Sequence, residues 1–360
     1  MNSKRDAILM FVTCPGIGDF IKTIPIIRLI IERYPEAKIV SVARTDSRYK
    51  ELFRLTPELG EIIFIDPGRG NLLNKIKPSY FLGLTRAFLR TCKLKPFAAI
   101  QFKYKRTYTY WAILAGIPRR GKPMKGWEST HADASDVPHI YHHYFKAAKP
   151  LDIPFPDKPF TDYQYIPLPD DVRKIGRDYI EKNFDTKAKT ILICPGGTIP
   201  KLWWGYDNFL KLAQDLADNG MNVILATGPY EKTLYRERHE ELTRKPNIKW
   251  EMNMSLLDLT GILKSCDLLV GGATGLTHVA DAIGIPVLAI FAQDDIVWQP
   301  IGGQSLTICK TRPDGWVDDK KNDVDGYVKQ VPYELVYKMA ISMLNDGIEW
   351  DKYPDKRINC

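Results

Sequence analysis

The residues best placed to do chemistry lie in one stretch, Asp267 to Phe291, DLLVGGATGLTHVADAIGIPVLAIF. A glycine turn feeding a helix N-terminus presents free N–H groups and the positive end of a dipole, which together suit a diphosphate. Leu268 to Val270 reads as a short buried strand. Gly271, Gly272 and Gly275 let the backbone turn sharply and approach a ligand closely. Thr274 is placed to cap a helix from about Gly275 to Ile283. Gly284 ends that helix, and Pro286 starts the next strand, Val287 to Phe291. An ordinary βαβ unit needs the same glycines for its turn alone, so this stretch by itself leaves both readings open.

Two more loops of this kind must be positioned by the rest of the chain. Strand Ala7–Thr13 runs into Cys14-Pro15-Gly16-Ile17-Gly18-Asp19, and a helix follows from Phe20 to about Arg33. Strand Thr190–Cys194 runs into Pro195-Gly196-Gly197-Thr198-Ile199-Pro200-Lys201-Leu202-Trp203, with a helix from Tyr206 to Asn219. All three loops sit at the C-terminal end of a strand, where open parallel sheets bind ligands. Further strands are expected at Lys38–Ala43, Glu61–Ile65, Phe97–Phe102 and Asn222–Thr227. Further helices are expected at Asn71–Cys92 with a break near Pro78, at Tyr108–Leu114, Glu231–Arg244, Ser255–Ser265 and Pro332–Leu344. The chain reads as irregular between Phe291 and Val331. Alternation of strand and helix argues for parallel sheets covered on both faces.

A chain of 360 residues is right for two α/β sheets. Prolines at 150, 154, 156, 159, 167 and 169 read as a stiff, extended linker between them. The domains are therefore expected at 1–160 and 161–331, with a helix and tail over 332–360 packing back on the N-terminal domain. Composition is that of a soluble globular protein, and no run of about 18 apolar residues is present. Ala7 to Val12 is a first strand and has no cleavage pattern after it. Six cysteines are scattered without CxxC spacing, and six histidines form no HExxH, which points to reduced thiols and no metal site.

Charge is unevenly placed. Residues 1–165 carry 27 Lys and Arg against 15 Asp and Glu, whereas the remainder carries 24 against 28. From Pro67 to Trp127 there are 14 basic residues and no acidic one. A solvated basic face explains short charge runs. A stretch this long suggests an anionic partner for the N-terminal half.

The three loops, in this order and spacing, resemble the heptosyltransferases, glycosyltransferase family 9. The resemblance rests on GIGDFIKTIPIIRLI, on the strand–PGG–Lys–Trp loop with its following helix, and on TGLTHVADAIGIPVLAIF. It implies an α/β GT-B fold, two Rossmann-like domains facing a central cleft. It also implies inverting, metal-independent transfer from a nucleotide sugar, typically ADP-heptose, to the inner core of lipopolysaccharide. The nucleotide sugar is then a substrate, and no cofactor is implied. The partners would be that donor, an anionic glycolipid acceptor and the cytoplasmic face of the inner membrane, with no nucleic acid.

Carried over by position, Asp19 would be the base that takes the acceptor proton, and Lys201 would meet the departing diphosphate. Its position would also suit an N-cap, with the base favoured given the other two loops. Gly197, Thr198, Lys201, Glu231, Thr274, Gly275, Leu276 and His278 would bind donor. Glu231 would contact the ribose, and His278 is equally a packed histidine. Gly18, Arg69, Arg119, Arg120 and Lys122 would bind acceptor. The chain departs from the family at Gly272-Ala273-Thr274-Gly275, where Ala273 replaces the usual aspartate, and at Phe291-Ala292-Gln293-Asp294-Asp295, so the donor sugar is open.

Two other classes are weighed. A dinucleotide-dependent dehydrogenase would need the third glycine that Gly16-x-Gly18 lacks, and Asp19 would face its pyrophosphate. A non-enzymatic binder of anionic lipid or nucleic acid would use the basic stretch with Tyr104, Tyr108, Tyr110 and Trp111, and would leave the phosphate loops in the other half without a purpose.

Overall fold

The structure, a computed structural model, describes residues 6–13, 16–45, 47–65, 78–123, 139–197, 199–228, 241–252, 254–314, 326–345 and 348–360. The described chain divides into two units, one ending at Gln164 and the other running from Tyr165 to Cys360. Each is built on one parallel sheet.

The first sheet has the order β3-β2-β1-β4-β5. Its strands are β1 (Ala7–Val12), β2 (Lys38–Arg44), β3 (Glu61–Ile65), β4 (Ala98–Gln101) and β5 (Arg119–Gly121). Strand β1, sequence AILMFV, is buried at every residue, as a central parallel strand covered on both faces requires. The expected Phe20–Arg33 helix is two helices, Ile17–Ile21 and Ile24–Arg33. Pro25 is the reason: without an N–H it cannot sit in a helix interior, but it fits the first turn of a new helix. Helix Ser47–Leu55 and edge strand β5 add elements that local patterning did not reveal.

The proline-rich segment is not a free spacer. Its 3₁₀ turn Phe160–Tyr163 is bound to the first unit, where Arg28 donates a hydrogen bond to the Tyr163 carbonyl at 2.9 Å and Phe160 is buried.

The second sheet has seven strands in the order β12-β11-β10-β9-β6-β7-β8. They are β6 (Thr190–Cys194), β7 (Asn222–Thr227), β8 (Ile248–Met252), β9 (Leu268–Gly271), β10 (Val287–Ala292), β11 (Ser305–Lys310) and β12 (Arg357–Asn359). The region after Phe291 is thus more regular than expected, since β11 pairs in register with β10. The tail also differs from expectation. Helix Tyr333–Asn345 buries Val336, Met339, Ala340 and Leu344 in the second unit's core, and β12 extends that unit's sheet beside β11. No helix among the described residues is long and apolar enough to cross a membrane.

Candidate functional site

In each sheet the chain starts at an inner strand, adds neighbours on one side, then crosses to the other. The reversal falls between β1 and β4 in the first sheet and between β6 and β9 in the second. Crevices at such points, beyond the carboxyl ends of the strands, are where open α/β sheets take ligands.

Beside β6 and β9 the two loops touch. Cys194 Sγ lies 3.6 Å from Thr274 Oγ1, and a Cβ on Gly197 would sit 3.2 Å from Thr274 Cγ2, a tight contact that glycine avoids. Thr274 occupies the N-cap of helix Gly275–Ala282, yet its hydroxyl makes no capping bond. It lies 3.3 Å from Thr277 Oγ1, and Thr277 donates to the Gly272 carbonyl at 2.7 Å. Side-chain capping was the expectation. The geometry instead spends both hydroxyls on the turn and leaves the N–H groups of the first helical turn without a side-chain cap. Gly271, Gly272 and Gly275 turn without entering the left-handed region, whereas Gly284, with φ 73°, ends the helix in it.

Lys201 lies on the 3₁₀ turn Pro200–Leu202 and is half-buried. That turn is clamped. A Cβ on Gly326 would fall 1.7 Å from the Lys201 carbonyl oxygen, so only glycine allows this backbone approach. Trp204 is fully buried beside it and donates its indole N–H to the Val331 carbonyl at 2.8 Å. Leu276 and His278 are buried in the helix, with His278 edge-on to Phe291 at 6.4 Å between centroids. At the end of β10, Asp294 is held by Arg312 at 3.1 Å, and Gln293 accepts from the Arg312 backbone N–H at 2.8 Å. Glu231 and Thr198 lie outside the described residues.

Beside β1, Gly16 is the N-cap of helix Ile17–Ile21, and Gly18 is buried in it. Asp19 is at the third helical position, not the N-cap, and one carboxylate oxygen accepts the Gly16 N–H at 2.8 Å. Helix capping by Asp19 is thus realised from inside the helix. Three residues on, Lys22 is fully buried, donating to Tyr141 Oη at 3.2 Å and to Gln164 Oε1 at 3.5 Å. Sequence reasoning passed over Lys22. Its one local signal was a lysine set among Phe20, Ile21 and Ile24.

The expected acceptor residues separate. Arg119 pairs in register with Ala98, which pairs with Ile8, so it lies roughly 13 Å of strand below the carboxyl end of β1. There it contacts Tyr34 Oη at 3.3 Å and Asp152 at 3.9 Å. Arg120 donates to the Ile117 carbonyl. Neither is grouped with Asp19. Lys122 follows β5 at the carboxyl end, 5.3 Å from the Tyr104 ring centroid. The loop after β4 supplies Lys103 and Lys105 there, and Gln101 accepts the Lys105 backbone N–H at 3.2 Å. Among the described residues, Lys103, Lys105 and Lys122 are cations on the loops after β4 and β5 at this switch point. Arg69 lies outside the described residues. Among the described residues no three His, Cys, Asp or Glu side chains are grouped to hold a metal ion.

The chain is similar to known proteins in sequence and in fold. The chain is 22% identical over 298 residues to lipopolysaccharide heptosyltransferase 3 of Escherichia coli, covering 79% of this chain and 82% of that one. It is 23% identical over 159 residues to lipooligosaccharide heptosyltransferase 2 of Haemophilus influenzae, a match spanning 42% of this chain and 45% of that protein. The solved structure of E. coli ADP-heptose lps heptosyltransferase II superposes with a TM-score of 0.70 at 16% identity, covering 94% of this chain and 99% of that one. That likeness shows the fold, two Rossmann-like units of the GT-B class. Residues 125–326 match the family model of glycosyltransferase family 9 (heptosyltransferase), and the chain belongs to that family.

Proposed function

We propose that the chain is an inverting, metal-independent heptosyltransferase that moves a heptose from a nucleotide-diphosphate donor, ADP-heptose first among candidates, to the inner core of lipopolysaccharide. The observation that carries this reading is the meeting of the loops after β6 and β9 at the second sheet's switch point, with Lys201 on the clamped turn that follows. The acceptor hydroxyl oxygen attacks the anomeric carbon from the face opposite the diphosphate. The bond from that carbon to the diphosphate oxygen breaks, and its electron pair leaves with the nucleotide. Asp19 takes the hydroxyl proton. Lys201 and the N–H groups at the start of helix Gly275–Ala282 meet the charge that develops on the diphosphate. Lys103, Lys105 and Lys122 are the cations for an anionic acceptor. Such an acceptor is lipid-anchored, so the chain works as a peripheral protein at the cytoplasmic face of the inner membrane.

One observation favours a second donor within the same fold. Ala273 offers no side-chain acceptor to sugar hydroxyls, and Asp294 is already held by Arg312. A thermal-shift screen with ADP, UDP, GDP and their sugars decides between them. The reading expects ADP and ADP-heptose to raise the melting temperature most. A larger shift with UDP or GDP sugars selects the second donor. Turnover onto Kdo–lipid A is expected to persist in EDTA. Loss of turnover that Mg²⁺ restores contradicts the metal-independent site.

A further inference from the structure

The basic stretch from Pro67 to Trp127, with its 14 Lys and Arg, holds a feature that the sugar-transfer chemistry does not use. Helices Pro78–Leu94 and Arg106–Leu114 follow β3 and β4, and both cover the same face of the first sheet. Ala87, Tyr108, Trp111 and Ala112 are buried with Leu9, Phe11 and Val42 in one core, and Phe88 meets Trp111 edge-on at 5.8 Å between ring centroids. The opposite, outward faces of these helices are apolar. Phe81, Leu82 and Leu89 on the first and Tyr110, Ile113 and Leu114 on the second are each at least 47% exposed, and Leu114 reaches 76%. Among the described residues only three other large apolar side chains are this exposed, so six of nine gather on two adjacent helices. Contiguous apolar surface of this kind marks an interaction site.

The basic residues say which partner fits. Leu82, Arg86, Leu89 and Lys93 follow one another at spacings of four, three and four, the stripe of one helix face. Arg106, Tyr110 and Ile113 repeat that pattern on the second helix. Arg86, Lys93 and Arg106 are exposed, and no acidic residue occurs from Pro67 to Trp127. A soluble protein partner would be matched by mixed charge. Apolar side chains interleaved with exposed cations, with no acidic residue on either helix, match the headgroup and acyl boundary of an anionic bilayer.

We propose that the outward faces of helices Pro78–Leu94 and Arg106–Leu114 dock the protein on an anionic lipid bilayer. The proposal rests on the peripheral reading above and gives it a surface. The apolar side chains enter the interface, while Arg86, Lys93 and Arg106 stay at the headgroups. Attraction of these cations falls off within a Debye length of about 8 Å at physiological salt.

The test is co-sedimentation of the full chain with vesicles of 70% phosphatidylcholine and 30% phosphatidylglycerol, and with pure phosphatidylcholine vesicles. Binding is expected to the anionic vesicles and to weaken at least tenfold on pure phosphatidylcholine. The variant Leu82→Glu/Leu89→Glu/Leu114→Glu is expected to lose anionic-vesicle binding at least tenfold, as is Arg86→Glu/Lys93→Glu. Both should keep the parent melting temperature and nucleotide affinity. Equal binding of parent and variants, no binding by the parent, or equal binding to both vesicle types overturns the proposal. So does a vesicle-free dimer that the Leu→Glu variant dissolves, which would make the patch a surface for a second copy. Vesicle binding by a chain that binds no nucleotide would leave the docking surface standing and remove the transferase reading instead.

Discussion

Beside β6 the loop at the carboxyl end of the strand is held from several sides. Gly326 presses on the Lys201 backbone, Trp204 is bonded to Val331, and Thr274 and Thr277 knit the neighbouring turn. Beside β1 the corresponding turn rests on a five-residue helix, with Asp19 bonded back to Gly16 and Tyr49 donating to the Gly16 carbonyl at 3.3 Å. The loops after β4 and β5, which carry Lys103, Lys105 and Lys122, leave the same end of that sheet. The same topology thus serves two tasks. A glycine-lined seat suits a diphosphate, which the backbone must approach closely. A turn flanked by lysine side chains suits a larger anionic partner.

The sharpest way to break this comparison is at Asp19. Asn can still accept the Gly16 N–H but cannot take a proton. Asp19→Asn is therefore expected to fold and bind donor while kcat falls roughly 10²-fold or more. Near-parental kcat in steady-state assays would return Asp19 to capping alone.

The next effect concerns which cations meet the acceptor. Reversing Lys103, Lys105 and Lys122 together should raise acceptor KM at least tenfold and leave donor Kd unchanged, since each cation near an anionic surface contributes about 1 kcal/mol. Reversing Arg119, at the amino end of β5, should change acceptor KM less than about twofold, because it lies beyond a Debye length of about 8 Å from the carboxyl end of the sheet. The opposite ranking would undo the register argument.

The smallest effect is on stability. Hydrogen bonds from Arg90, then Lys38, hold the Glu61 carboxyl down from about 4.5 to about 2. A folded pKa below the unfolded one stabilises above pH 4.5, and that stability is lost as pH falls toward 2. The pairs are partly exposed, so the contribution is under about 1 kcal/mol. Glu61→Gln should lower the melting temperature slightly at pH 6, and the gap from the parent should close at pH 2–3. A gap that persists there would assign the loss to packing.

What could be read in advance was local. Glycine turns, capping residues and apolar runs placed β1, β6, β9 and β10 to within a residue or two, and with them the loops that carry Asp19 and Lys201. What could not was set by register and by tertiary partners. Arg119 stands three residues before Lys122 in the chain, and only the pairing of β5 with β4 shows that Arg119 opens the strand and Lys122 follows its carboxyl end. The three-residue strands β5 and β12 are too short for a periodic signal. Lys22 depends on Tyr141 and Gln164, more than 100 residues away. Pro25 was an available local sign that the first helix breaks.

The central claim is that a nucleoside diphosphate sits against Lys201 at the switch point of the second sheet. Titration calorimetry of the parent and Lys201→Ala with ADP and with adenosine tests it most directly. A charge-assisted phosphate contact is worth about 1.5–3 kcal/mol, so the variant should bind ADP about 10- to 100-fold more weakly and adenosine as the parent does. Equal losses for the two ligands, or an unchanged ADP affinity, would contradict it.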